Sequence, residues 1–313
     1  MADRKISTRV ARLEALAQTR LGLFSVSDAT AHGLSSQLLE HHNHAGGRWS
    51  RVLPGVYQLA GLGPDRRRPL LAALLWGGDQ AVLSHRAAGF VLRLDGISGI
   101  RQEMWAPTGH SPRGIIVHRG IVGPDEVVTT GLLRHTTLLR TVRDLAAVLN
   151  DDTLELVIES ALRRDPTSEG DLVMSGRNGT ARLRRVLGRR PFGAPPTDSE
   201  LETRYLQVIR MADVPPPVRQ HRVINERGIC IGRLDLCWPE VGLWVELDGR
   251  ASHDRPKALL YDRHRQNEVA VRLQWLPIRF TWDDVTGRPR ATARFTEDSY
   301  RRRAAWLGHA QPP

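Results

Sequence analysis

The chain has 313 residues and a formal net charge of +11, and two of its 45 basic residues are lysines while the rest are arginines. That length supports two or three domains with cores of their own, and Cys230 and Cys237, the only cysteines, exclude a disulfide framework or a cysteine zinc site. No apolar run reaches the roughly 18 to 20 residues of a membrane span, and the opening MADRKISTRVARLEAL reads as a polar helix rather than a secretory signal, so a cytoplasmic protein with no membrane partner is expected.

A polyanion is the partner that the charge suggests, duplex DNA first, because arginines gain affinity by displacing phosphate counterions. In the stretch 1–62, Val10, Leu13, Leu16 and Ala17 recur at helical spacing. VSDATAHGL predicts a short helix capped by Ser27 and stopped by Gly33. SSQLLEHHNHAGG predicts another, capped by Ser35 or Ser36 and stopped at Gly46. GRWSRVLPGVYQLAG then alternates around a Pro-Gly turn, which is a hairpin signal. Three helices and a hairpin predict a winged helix-turn-helix, with its third helix (36–44) toward a major groove and Arg48 and Arg51 on the wing at phosphates. His41, His42 and His44 read as solvent-facing residues, since adjacent histidines cannot share a helix face. The block from Leu23 to Leu62, above all GRWSRVLPGVYQL, resembles the N-terminal antitoxin domain of the abortive-infection type IV toxin-antitoxin family. The resemblance implies DNA binding and a toxin protein as partner; a homodimer reading two half-sites is the other partner expected of such a motif.

Residues 66–187 predict a connecting α+β domain. LLAALLWGGDQAVLSHRAAGFVLRL reads as buried helix and turn, IIVHRG as a strand, and TLLRTVRDLAAVLNDDTLELVIESALRR as two helices packing through Leu, Val and Ile. Ser84 and His85 are neighbours in sequence, which is no sign of a nucleophile and base, and no catalysis is expected here. The stretch looks like the connecting domain of the same family. GRRPFGAPPTDS, 188–199, concentrates Pro and Gly and reads as a linker.

From 200 to 310, TDSELETRYLQVIRMA predicts a helix capped by Asp198 or Ser199. Strands follow at about 218–224, 232–238 and 242–248, the last two joined by Pro-Glu-Val-Gly. A long helix (256–273), a strand in LQWLPIRFTW and a closing helix (290–306) complete an α/β unit. Within it, RLDLCWPEVGLWVELDGRASH carries acids in otherwise apolar strands. By strand parity Glu246 and Asp248 share a face, with Asp235 opposite them and Glu202 reaching in from the helix. Such hard oxygen donors suit Mg²⁺ or Mn²⁺, which lowers the pKa of a bound water and polarises a phosphodiester. Other readings stay open. Asp235 and Glu246 could be satisfied by Arg233, Arg250 or Arg279, His253 could cap a strand, Arg263 and Arg265 could be a solvated helix face, and Trp244, Trp275 and Trp282 read as packing.

The helical Glu, the strand Asp and the Glu-x-Lys position resemble the PD-(D/E)XK restriction-endonuclease-like superfamily. More narrowly, the D-x(10)-E-x-D-G-x(3)-H block, YDRHRQNEVA and IRFTWDDV look like the group related to the very-short-patch-repair endonuclease. That resemblance implies Glu202, Asp235 and Glu246 as the metal-site acids and puts Asp248 where the usual lysine stands. His253 is the substitute for handling the proton, and Arg263 and Arg265 could supply positive charge to the phosphate. The fold class expected is α/β multidomain: an N-terminal winged helix-turn-helix, an α+β middle domain and a C-terminal restriction-endonuclease-like α/β/α core. The function expected is a DNA-binding protein with a metal-dependent endonuclease domain, in DNA repair or phage defence. The alternative is an antitoxin-like transcriptional regulator with an inactive nuclease fold.

Overall fold

A computed structural model describes all residues except 1, 45, 108, 110, 166–167, 174–177, 192, 225–227, 229, 249–269, 272 and 311–313. The described chain is mixed α/β and divides into two compact units, Met1–Leu149 with Asp171–Leu183, and Asn150–Gly170 with Arg184–Pro313. Among the described residues no helix is long and apolar enough to cross a membrane.

The first unit opens with α1 (Ala2–Thr19), β1 (Leu23–Ser25), α2 (Val26–Ala31) and α3 (Ser36–His42), followed by the hairpin β2 (Trp49–Leu53) and β3 (Val56–Leu59). The strands order β1-β3-β2, and Val10, Leu13, Ala17, Phe24, Leu39, Trp49 and Tyr57 close a core between helices and sheet. Caps set the helix starts. The cap of α2 is Ser25 rather than the expected Ser27: its Oγ accepts from Asp28 N–H while the Asp28 carboxylate accepts from Ser25 N–H at 2.8 Å, a reciprocal box that Ser27 has no acid placed to complete. Ser35 caps α3. Gly55, at φ +73°, makes the hairpin turn that a side chain would strain.

After α4 (Arg68–Gly77) come β4 (Val82–Leu83), α5 (His85–Val91), β5 (Gln102–Ala106), β6 (Ile115–Arg119), β7 (Val127–Thr130), β8 (Leu133–Thr136) and α6 (Leu138–Val148). The five strands order β6-β5-β4-β8-β7, with β5/β6 and β4/β8 parallel. α5 packs on α6.

α7 (Asp151–Leu162) belongs to the second unit, and both α6 and α7 bury apolar residues, among them Val142, Leu145, Leu154 and Ile158. α8 (Ser168–Val173) and α9 (Thr180–Leu187) follow, then α10 (Glu200–Ile209), on which α7 packs. A polar core explains the grouping. Glu159 is fully buried and meets Arg190 at 2.5 Å and Arg219 at 2.9 Å, with Thr197 N–H donating to it at 3.0 Å. Glu155, also buried, takes Arg210 at 2.5 Å and Arg189 at 3.5 Å. Arg189, Arg190 and Thr197 lie in the stretch expected to be a linker; here they fasten α7 to its unit.

The second unit's sheet orders β12 (Leu276–Thr281), β11 (Leu243–Asp248), β10 (Cys230–Trp238) and β9 (Val218–Ile224), with β11/β12 parallel and the others antiparallel. α10, α11 (Trp282–Gly287) and α12 (Pro289–Ala310) pack together, and Leu201, Tyr205 and Ile209 of α10 join Leu236, Trp238, Leu243, Val245, Ile278 and Phe280 of the sheet in one apolar cluster. A parallel pair needs a crossover; most of the helix expected at 256–273 lies outside the described residues. A smaller cluster holds Val223, Leu234, Cys237 and Trp244 with Leu273 and Trp275, the packing role expected of Trp244 and Trp275.

Candidate active site

Ser199 starts α10, accepting from Glu202 N–H at 3.2 Å, and Glu202 reaches back to accept from Asp198 N–H at 2.8 Å and Ser199 Oγ–H at 3.0 Å. This geometry buries Glu202 to 4% exposure at the helix start. Burial first, and then the charge of Asp235, push its carboxyl up to about 7, against the cap hydrogen bonds that hold it down.

Asp235 sits on β10 between the register pairs Leu236↔Val245 and Leu234↔His221, which sets it beside Glu246 of β11 on one side and Gln220 of β9 on the other. The strands are irregular there. Leu234 and Leu236 would share a face on a regular strand, yet they enter different apolar clusters, so β10 turns at Asp235. Gln220 carries φ +53°, a conformation that costs energy without glycine. Its Nε2–H donates to Glu202 Oε2 at 3.3 Å, while its Oε1 is buried and, among the described residues, has no hydrogen-bond partner.

Glu246 is differently placed. Val245 and Leu247 pack into the cluster with α10, so Glu246 projects to the opposite face, where Arg279, its register neighbour on β12, holds it at 2.9 Å. Arg279 was one of the three arginines offered as a structural partner; Arg233 pairs with Asp198 instead. Asp248 is exposed at the end of β11, in register with Thr281. The structure thus brings Glu202 and Asp235 into interaction and adds Gln220, which sequence parity did not single out, but it does not converge Glu202, Asp235 and Glu246 on one point. An arrangement of two carboxylates and an orphaned amide oxygen fits a hard divalent cation, whose charge would offset their repulsion. His253, Arg263 and Arg265, and the alternative partner Arg250, lie outside the described residues.

On the N-terminal hairpin, Arg48 is held by Glu14 through two hydrogen bonds, 3.0 and 2.7 Å, and Trp49 Nε1–H donates to the same carboxylate at 3.1 Å. Arg51 is exposed and its guanidinium has no ion-pair partner among the described residues. His42 packs edge-on against Trp49, with ring centroids 5.0 Å apart, so it is not wholly solvent-facing.

One group was missed altogether. Among the described residues, the only three His, Cys, Asp or Glu side chains with donor atoms all within 4.8 Å of one another are His85, Glu103 and His118 of the first unit. Glu103 is 1% and His85 3% exposed, and His118 Nε2 lies 3.1 Å from Glu103 Oε1. Burial, then the neighbouring His118, hold His85 down to about 3. The signal was a glutamate and a histidine inside apolar strands, QEMWA and IIVHR, but nothing in the chain order pairs them. Compared with models of protein families and with curated proteins, the chain matches none.

Proposed function

We propose that the protein binds DNA through its N-terminal winged-helix region and hydrolyses phosphodiester bonds with a divalent cation at the α10/β10 site. The observation that carries this reading is the buried Glu202 facing Asp235, with Gln220 Oε1, which has no hydrogen-bond partner among the described residues, beside them. Two carboxylates are costly to hold near each other in a buried place unless a cation is part of the design. Glu202 and Asp235 would hold Mg²⁺ or Mn²⁺, with Gln220 supplying an amide oxygen and Glu246 joining from the next strand when it exchanges Arg279 for the ion. When bound, that ion supplies charge stabilisation at the phosphate and a more acidic water. His253 takes the proton of the attacking water, and Arg263 and Arg265 balance the negative charge of the phosphate.

A second reading rests on the Glu246–Arg279 ion pair and on Asp248, an exposed acid where the related nucleases carry lysine. In it the chain is an antitoxin-like transcriptional regulator, and the C-terminal unit is a platform that does not cut. Supercoiled plasmid and short duplexes in Mg²⁺, Mn²⁺ or EDTA separate the two. The nuclease reading expects metal-dependent nicking that Asp235→Ala and Glu202→Gln abolish and Glu246→Ala reduces at least tenfold. Duplex binding without cleavage in either metal leaves the regulator.

A further inference from the structure

The first unit contains a polar centre that the nuclease reading does not use. β5 and β6 run parallel, with Trp105 in register with His118, and β4 leads into α5 through Ser84 and His85. This topology gathers His85, Glu103 and His118 although 33 positions separate the first from the last. Outer partners hold two of the three. Ser84 Oγ lies 2.9 Å from His85 Nδ1, and with the hydroxyl accepting, the ring proton stays on Nδ1 and Nε2 keeps its lone pair. Arg86 N–H donates to Glu103 Oε2 at 3.1 Å and the Arg86 guanidinium stands 3.5 Å from the same oxygen, which leaves Oε1 turned to His118. His85 adopts φ +47°, in the left-handed region that residues other than glycine enter at an energetic cost, so the surrounding structure must hold it there.

We infer that His85, Glu103 and His118 form a binding site for one divalent transition-metal ion, with Zn²⁺ as the best match. Two imidazoles and one carboxylate are a borderline donor set that selects such ions over Mg²⁺, in contrast to the all-oxygen site of the second unit. Three protein ligands leave a coordination position open. A cleft of about 520 Å³ lined by Trp105, His118, Ile121, Arg140 and Arg143 adjoins the group and gives an outside ligand access to that position. The two imidazole rings stack at 3.6 Å with an interplanar angle of 16°, and parallel rings do not aim their nitrogens at a common point. The ion therefore requires one ring to turn, and it is His118, 23% exposed at the cleft, that has room to do so.

The test is Zn²⁺ stoichiometry on the full-length chain, by native mass spectrometry and by calorimetry, with Co²⁺ absorption reporting the coordination sphere independently of any activity. Wild type is expected to bind one Zn²⁺ that Asp235→Ala retains. His118→Ala, at the most exposed ligand and so the variant least harmful to folding, should weaken it by more than the roughly 10- to 100-fold that an outer partner contributes. Glu103→Gln should do the same and shift the Co²⁺ spectrum. Absence of Zn²⁺ binding to wild type overturns the inference, as does binding that survives His118→Ala and disappears when His41 and His42 are both replaced by Ala.

Discussion

Glu202 does two jobs whose electrostatics conflict. As the third residue of α10 it accepts the Asp198 N–H and Ser199 Oγ–H, bonds that favour a carboxylate. Burial and the Asp235 charge favour the neutral acid and prevail, raising the group from an ordinary 4.5 to about 7. The folded chain then binds this proton more tightly than the unfolded chain does. The stability linked to Glu202 is present below the unfolded value and is lost as pH rises through the folded one. At about 1.4 kcal/mol per tenfold change in proton affinity, the loss is on the order of 3 kcal/mol at the alkaline end. In EDTA, the wild-type melting temperature should fall between about pH 5 and pH 8, and Glu202→Gln, which mimics the neutral acid, should flatten that slope and melt higher at pH 8. A wild-type slope of the opposite sign would show that the cap hydrogen bonds, not burial, govern the residue.

Among the elements, α7 ties its unit together by charge rather than by apolar contact alone. Glu159 reaches Arg219 on β9, 60 positions away, and Arg190 as well, all three nearly excluded from solvent. Removing the acid takes the carboxylate from two buried guanidinium groups, although Arg190 keeps its hydrogen bond to Ala194 O. Glu159→Ala should therefore cost about 3 to 5 kcal/mol, read as a lower urea midpoint with an unchanged slope, whereas Asp152→Ala on the exposed face should cost under about 1 kcal/mol. This ion network also marks where the sequence stops being legible. Helix and strand positions described in the second unit follow from local patterns: Asp198 or Ser199 ahead of an apolar helical stripe predicts the start of α10, and Pro-Glu-Val-Gly predicts the β10/β11 turn, because cap and turn chemistry act over a few residues. The partners of Glu155 and Glu159 are set by tertiary contacts, and a Pro- and Gly-rich stretch that reads as a linker supplies three of the fastening residues. The same limit affects the candidate site. Strand parity separates Glu246 from Val245 and Leu247, but a turn in β10 at Asp235 breaks the alternation, and neither the role of Gln220 nor the Arg279 pairing could be read from period two. His85, Glu103 and His118 are further still from any local pattern.

Across the whole molecule the charge of +11 is a sum that includes arginines held by acids, such as Arg140, Arg189 and Arg210, so net charge and available cations are different quantities. The N-terminal hairpin makes the distinction testable. Arg48 is neutralised by a two-pronged contact with Glu14, which also holds Trp49 in place, and this contact raises the proton affinity of Arg48 further. Arg51, two residues past Trp49 on the same strand, is exposed. Under the DNA-binding reading, duplex affinity of the full chain falls steeply with salt, because each phosphate contact releases close to one counterion. Arg51→Ala should lower the slope of log affinity against log salt by about one, the loss of one contact, and weaken binding similarly on unrelated sequences. Arg48→Ala should change the slope by less, since its guanidinium already has a carboxylate counterion, and should instead lower the melting temperature through Glu14 and Trp49. Fluorescence anisotropy over a salt series measures both slopes. If Arg51→Ala leaves the slope unchanged while Arg48→Ala reduces it, Arg48 exchanges Glu14 for phosphate on binding and the two residues trade roles; if neither moves it, the hairpin does not touch the backbone and the N-terminal region is not the DNA-binding surface.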